Sequence, residues 1–298
     1  MIEPALLSVC VPIYNKAGAL PRLFESLLRE NLPRLEVVAL DNASKDDTAR
    51  VLDAWKGRLN LKVHTLPRTI SLYDNWLLAL SLGSGKYLRL QLADDGVPDG
   101  CLKAMVAALE QNPNLGAVFA RSVHVDDDGR EIASGIVNDY CHIVNEARRT
   151  IAGAKTLAEK ARAFRRARLC DSQLGDPNPI VFRSDLLPLL RKGVSGLAPA
   201  FQSWPEFEIG LRLMVLSETA FLDIPGTTVS FDRLGSLPLM NNRDWRRRAK
   251  DMVRINSLFL MLLDPDLREF RRHLGKAFLA RFTLWHLARL ARIAVGRA

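Results

Sequence analysis

Cysteine is sparse in this 298-residue chain, and Cys10, Cys101, Cys141 and Cys170 form no CxxC pair and no metal-ligand spacing. That pattern excludes a disulfide framework and a zinc-finger-type site, and the four thiols are expected to be reduced. Long apolar runs are missing as well: no stretch approaches the roughly 20 residues that cross a bilayer. The N-terminal MIEPALLSVCVPIYN lacks a basic leading segment and a small-residue cleavage site, so its short apolar run reads as a first strand rather than a signal peptide. There is no internal repeat and no low-complexity tract. The expectation is a globular protein of the cytoplasm, free or resting on the inner face of the cell membrane.

What is present supports a large folded core. Apolar residues make up 48% and charged residues 25%, which fits neither a disordered nor a fibrous chain. The formal charge of +9 is unevenly placed. From Arg243 onward there are fourteen Lys or Arg against five Asp or Glu, so the last fifth of the chain carries the whole excess. Such asymmetry points to a local anionic partner.

Strand and helix patterns alternate in the first part of the chain. Apolar β runs at Leu6–Ile13, Leu35–Leu40, Leu61–Leu66 and Tyr87–Leu92 are separated by helical spacing over Leu20–Glu30, about Asp47–Lys56, and a helix beginning near Asn75. A further helix over about Asp99–Gln111 precedes a strand at Gly116–Ala120. This order predicts an α/β fold with a mostly parallel central sheet and helices on both faces. Ligands of such sheets bind outside the carboxyl ends of the strands. Tyr14 and Asn15, Asp41 and Asn42, then Asp94 and Asp95 all fall there. After Ala120 the pattern changes: Asp126-Asp127-Asp128-Gly129 reads as a hairpin turn, residues from about Asn145 to Leu169 as helix, Trp204–Leu216 as helix and Thr227–Phe231 as strand. Two C-terminal helices are expected to break near Asp264-Pro265-Asp266, with Asp266 able to cap the second. The chain divides into a ligand-binding half over 1–122, a second half of the same domain over 123–238, and basic helices over 239–298.

The segment LADDGVPDG carries the chief chemical signal, two adjacent carboxylates on a turn leaving a buried strand. Carboxylate oxygens suit hard divalent cations, and a bound diphosphate can complete the shell. A DD pair alone is a common solvated turn; its weight comes from its place at the active edge of the sheet. Gly83 and Gly85 suit a helix end before a strand and need no phosphate to explain them. Asn75 and Trp76 read as a helix start with a packed aromatic, with Asn75 also a candidate to face a ligand.

Taken together, VCVPIYNKAGALPRLFESLL, VVALDNASKDDTARVL and NWLLALSLGSGKYLRLQLADDGVPDGCL resemble the N-terminal half of the inverting family-two glycosyltransferases of the GT-A fold. PEFEIGLRL and SFDRLGS resemble, more loosely, the family's catalytic-base helix and the strand and loop after it. The resemblance implies that Pro12, Tyr14 and Asn15 cradle the base and ribose of a nucleoside-diphosphate sugar, UDP type favoured. It implies that Asp41 receives the pyrimidine N3–H, with Asn42 and Ser44 completing that loop. Asp94 then lies near ribose and metal, Asp95 is the direct ligand of Mn2+ or Mg2+, and Glu206 is the base that deprotonates an acceptor hydroxyl. Two departures stand out: Leu92 occupies a position where the family often has an acid, and Glu206 replaces the usual Asp, which leaves Glu208 as the rival base. The implied activity is metal-dependent hexosyl transfer to a glycan or lipid-linked acceptor in bacterial surface polysaccharide synthesis. A catalytically inactive, glycosyltransferase-like binding protein is one rival. A sugar nucleotidyltransferase is a weaker one, because VPIYNKAG lacks the Gly-rich basic loop of that class.

The basic tail interleaves Arg246–Arg248, Arg268, Arg271, Arg272, Lys276, Arg281, Arg289 and Arg292 with Phe270, Leu274, Phe278, Phe282, Trp285 and Leu290. It reads as an amphipathic surface for an anionic membrane or as a helical cap packed on the core. Nucleic acid is not an expected partner, since no recognition motif accompanies the charge.

Overall fold

The computed structural model describes residues 4–126, 130–132, 136–166, 178–191, 205–229, 262 and 264–294, with backbone alone for 136–140, 143, 191, 205–207, 286 and 289–294. The predicted turn residues 127–129, the SFDRLGS segment, Cys170 and Arg246–Arg248 lie outside the described residues.

Seven strands form one sheet in the order β3-β2-β1-β4-β6-β5-β7. Strand β1 (Leu7–Ile13) is buried throughout, as an apolar run flanked by parallel neighbours requires. It pairs in parallel with β2 (Leu35–Asp41) and β4 (Tyr87–Leu90), and β2 pairs with β3 (Leu61–Thr65). Beyond β4 the short β6 (Ile180–Arg183) runs antiparallel to β4 and to β5 (Leu115–His124), which pairs in parallel with β7 (Glu218–Val229).

The helices α1 (Leu20–Glu30), α2 (Thr48–Trp55), α3 (Leu72–Leu82) and α4 (Cys101–Gln111) fill the crossovers between β1 and β5. One apolar cluster joins Leu7, Val9 and Val11 of the sheet to Leu20, Phe24, Leu52 and Met105 on one face. The other joins Cys10, Leu88 and Phe119 to Trp76 of α3 and to the later helices. The chain steps outward through β1, β2 and β3, then α3 carries it back across β1 to β4. The direction of winding therefore reverses between β1 and β4, the crevice where open α/β sheets take their ligands.

Several boundaries differ from the sequence reading for physical reasons. Helix α3 begins at Leu72 because Ser71 caps it, its hydroxyl accepting from Asp74 N at 3.1 Å; Asn75 sits inside the first turn, not at its start. The stretch expected as one helix from Asn145 is two, α5 (Ile136–Ala152) and α6 (Leu157–Arg166), separated at Gly153. Strand β7 starts nine residues before Thr227, held by parallel pairing to β5. The hairpin expected after β5 is supported by an antiparallel Val125–Glu131 bridge and by Asp126 N donating to Arg130 O at 2.9 Å.

Toward the C-terminus, α7 (Leu187–Arg191) and α8 (Pro205–Leu216) precede β7. A 3-10 turn at Pro265–Leu267 leads into α9 (Arg268–Leu274) and α10 (Lys276–Ala294). The cap there is Asp264, whose carboxylate accepts from Asp266 N at 2.9 Å, rather than Asp266 itself. Among the described residues no helix is long and apolar enough to cross a membrane.

Candidate active site

Three loops meet at the carboxyl ends of β1, β2 and β4. The β1–α1 and β2–α2 loops latch each other: Asn15 N donates to Ser44 Oγ at 2.9 Å, and Lys45 N donates to Asn15 Oδ1 at 2.8 Å. Asn15 (φ 53°) and Ala43 (φ 58°) adopt left-handed backbone, tolerable for Asn and strained for Ala, so the loops are held in one shape at some local cost. Asp41 is buried and its Oδ1 accepts from Ser44 N at 3.0 Å. The Asn42 amide is engaged at both ends by Ile70, accepting from Ile70 N at 2.8 Å and donating to Ile70 O at 3.1 Å, which ties in the loop after β3. Pro12 is buried in β1 opposite Leu40, while Tyr14 projects into solvent, 43% exposed. In the first turn of α3, Asn75 is buried, and its Oδ1 has no hydrogen-bond partner. A buried acceptor of that kind is costly unless a ligand or water meets it.

Across the β1–β4 crevice stand Asp94 and Asp95. Lys16 Nζ lies 2.7 Å from Asp94 Oδ2, and Arg22 Nη2 donates to the Asp94 carbonyl at 2.5 Å. Asp95 is buried, and its Oδ2 accepts from the side chain of Asn178. Asn178 is wholly buried and also accepts, through Oδ1, from Leu92 N at 2.6 Å. A second buried support runs beneath the turn: Gln91 Nε2 donates to Asp95 O at 3.3 Å, Arg89 donates to Gln91 Oε1 at 2.8 Å, and Arg89 donates to Gly226 O at 2.7 Å. Gly96 then exchanges both backbone hydrogen bonds with Thr228 of β7, each 3.0 Å. A side chain at Gly96 would collide with the Thr228 hydroxyl, which would have to turn away.

The structure thus brings Tyr14, Asn15, Asp41, Asn42, Ser44, Asp94 and Asp95 to one sheet edge. Sequence reasoning missed Lys16, Arg22, Gln91 and Asn178, which position the diacid. The only local signal for Asn178 was its place between two prolines in DPNPIVF. Glu206 lies in the first turn of α8, its side chain outside the described residues. Glu208 accepts from Arg212 Nε at 3.0 Å, and Arg212 is fully buried with Asp264 and Asp266 as further partners. Gly85 is explained by packing, since a Cβ there would sit 2.7 Å from Ser8 N.

Two hard carboxylates on one rigid turn suit a divalent cation that takes the rest of its shell from a diphosphate. Among the described residues no group of three His, Cys, Asp or Glu offers a self-contained metal site.

An α/β sheet with a diacid at its winding switch has its polar groups where such sheets bind ligands, and comparison with known proteins gives the class. The chain belongs to glycosyl transferase family 2, whose family model matches residues 8–167. The abequosyltransferase RfbV of Salmonella typhimurium is 27% identical over 114 residues, covering 37% of this chain and 34% of that protein. The poly(ribitol-phosphate) beta-N-acetylglucosaminyltransferase TarS of Staphylococcus aureus is 28% identical over 116 residues, 35% of this chain and 19% of TarS. The matched segments thus span well under half of these relatives' length. Over the whole fold, the crystal structure of TarS residues 1–349 with UDP superposes with a TM-score of 0.60 at 16% identity, covering 96% of this chain and 87% of that one. A Pyrobaculum calidifontis mannosyltransferase in complex with GDP-Man and Mn2+ gives 0.59 at 17% identity, covering 99% and 76%. The fold is GT-A.

Proposed function

We propose that this chain is an inverting glycosyltransferase that moves a sugar from a nucleoside-diphosphate sugar, UDP type favoured, to a hydroxyl of a glycan or lipid-linked acceptor of a bacterial surface polymer. The observation that carries the reading is the convergence of Asp41, Tyr14 and the Asp94-Asp95 turn on the β1–β4 switch. The loop latched by Asn15, Asn42 and Ser44 would shape the nucleoside pocket over Pro12, with Asp41 recognising the base and Asp94 facing the ribose. The Asn75 carbonyl is suited to meet the donor. Asp95 and Asp94 would hold Mn2+ or Mg2+, which supplies charge relief on the leaving diphosphate. Solved structures of the same fold include complexes with UDP, UDP-GlcNAc and GDP-Man, which supports a nucleotide-sugar donor.

Glu206 is assigned the base that takes the acceptor's proton. Its rival Glu208 is engaged with Arg212 inside the protein, its side chain 14% exposed, so it holds α8 in place. The distal part of α10, with Arg281 beside exposed Leu284 and Leu287, is assigned to an anionic lipid surface, its charge complementing that of the headgroups.

Turnover of UDP-sugars and GDP-mannose with and without Mn2+ tests the activity. Asp95→Ala should abolish metal-dependent donor binding, and an unchanged dissociation constant in Mn2+ refutes the site. Glu206→Gln should keep donor binding and lose transfer. Should Glu208→Gln behave that way while Glu206→Gln remains active, the base is misassigned. Nucleotide binding without turnover of any common donor would favour the inactive, binding-only reading, for which Leu92 in place of an acid is the supporting observation.

A further inference from the structure

Among the described residues, the cation that pairs with the Asp94 carboxylate is Lys16, and it is built into the loop rather than draped over it. Its backbone N donates to Thr48 Oγ1 at 3.3 Å, the next residue's N donates to Asp46 Oδ2 at 3.0 Å, and the preceding Asn15 is locked to the β2–α2 loop. From that anchored root the ammonium reaches 2.7 Å from Asp94 Oδ2, with side chains only 28% and 24% exposed. Partly shielded charges interact more strongly than surface pairs. Arg22 adds a guanidinium on the carbonyl of the same residue. Leu92 contributes no carboxylate, so the turn offers Asp94, held by Lys16 and Arg22, and Asp95, held by Asn178.

We propose that the Lys16 ammonium is a resident counter-ion of Asp94 that a divalent cation must displace, so that the chain takes up its metal together with the nucleotide rather than ahead of it. This rests on the reading of Asp94 and Asp95 as the metal-side carboxylates. The charge balance gives the reason. A lone divalent ion meets a turn whose Asp94 carboxylate is already paired with Lys16, with the Arg22 guanidinium on the carbonyl of the same residue. An ion arriving with a diphosphate brings its own negative charge, and the released ammonium gains a phosphate to pair with, a role suited to lysine. Metal and nucleotide therefore strengthen each other's binding, and that coupling is reciprocal.

Free Mn2+ followed by electron paramagnetic resonance, in the full chain with and without UDP, tests this independently of activity. Wild type should bind Mn2+ weakly alone and at least about tenfold more tightly with UDP, about 1.4 kcal/mol of coupling. The neutral variants Lys16→Met and Lys16→Gln should bind Mn2+ alone about tenfold more tightly than wild type and show a smaller UDP effect, while Lys16→Arg should resemble wild type. Thermal melting of each variant confirms folding, and two neutral substitutions guard against one that misfolds. If Mn2+ binds with UDP but Lys16→Met and Lys16→Gln match wild type without it, the displacement is wrong and the metal site stands. If no Mn2+ binds even with UDP, the metal assignment of Asp94 and Asp95 falls and the displacement with it.

Discussion

Asn178 shows how one residue without reactive chemistry sets the geometry of a site. Its amide donates to Asp95 and accepts from Leu92 N, so it fixes both the carboxylate and the strand end that delivers it. Asn178→Ala would leave the partly buried Leu92 N–H without its partner and open a small cavity, a loss of roughly 2 kcal/mol. In a chain of this size that corresponds to a melting shift of roughly 3 °C. Donor affinity in Mn2+ should fall as well, because Asp95 loses its orienting contact. Calorimetric melting and donor titration check the two effects, and full donor affinity in the variant would remove Asn178 from the site. This contact was not legible in the sequence, since it joins positions 83 residues apart and no spacing rule relates them. The placement of Tyr14, Asp41, Asp94 and Asp95 at one sheet edge was legible because each ends or shortly follows a recognisable strand. Among the described cysteines, burial raises the Cys10 thiol and pushes Cys101 up to about 11.

At the scale of elements, the edges of β1 and β2 are joined to the α3–β4 loop by Glu36. Its carboxylate accepts from Ser8 Oγ at 2.5 Å and from Ser84 N and Oγ at 2.9 and 2.8 Å, and it pairs with Lys62. Burial alone would raise the Glu36 pKa, but the hydrogen bonds from Lys62, Ser8 and Ser84 outweigh it and hold the group down at about 2. The folded-state pKa is depressed, so the stabilisation is fully present above the ordinary glutamate range. It is lost as pH falls from about 4.5 toward 2. Its size is of the order of 3 kcal/mol. Glu36→Gln should therefore be less stable than wild type at pH 7 by roughly 2–3 kcal/mol, with the gap closing toward pH 2. Denaturant midpoints at pH 7, 4 and 2.5 check this, and a gap independent of pH would show that the ionised form is not what matters. The strands and helices around Glu36 could be read in advance because their apolar periods are clean. The start of α3 and the break at Gly153 could not, since a Ser71 cap and a glycine between helices compete with periodicity only through local hydrogen bonding.

For the molecule as a whole, the basic tail has two parts with different surroundings. Leu267, Phe270, Leu274 and Phe282 belong to the buried core, Phe164 of α6 meets Phe270 edge-on at 5.7 Å, and Arg165 holds His273 O at 2.7 Å. Buried Arg212 of α8 reaches Asp266 at 3.2 Å and also pairs with Asp264, so the start of α9 and the helix bearing Glu206 brace each other. Removing the chain from Arg243 onward would strip those residues from the core, and a loss of lipid binding after such a cut would report unfolding. Substitution is the cleaner probe. Leu284 and Leu287 of α10 are 66% and 49% exposed, so replacing both with Glu removes apolar contact and adds repulsion at a surface that does not hold the fold. The double variant should keep the wild-type melting temperature and lose most co-sedimentation with phosphatidylserine-containing vesicles. Wild-type binding should weaken steeply between low and physiological salt, and neutral phosphatidylcholine vesicles should bind neither protein. Equal co-sedimentation of variant and wild type on anionic vesicles would mean that this face of α10 does not contact lipid.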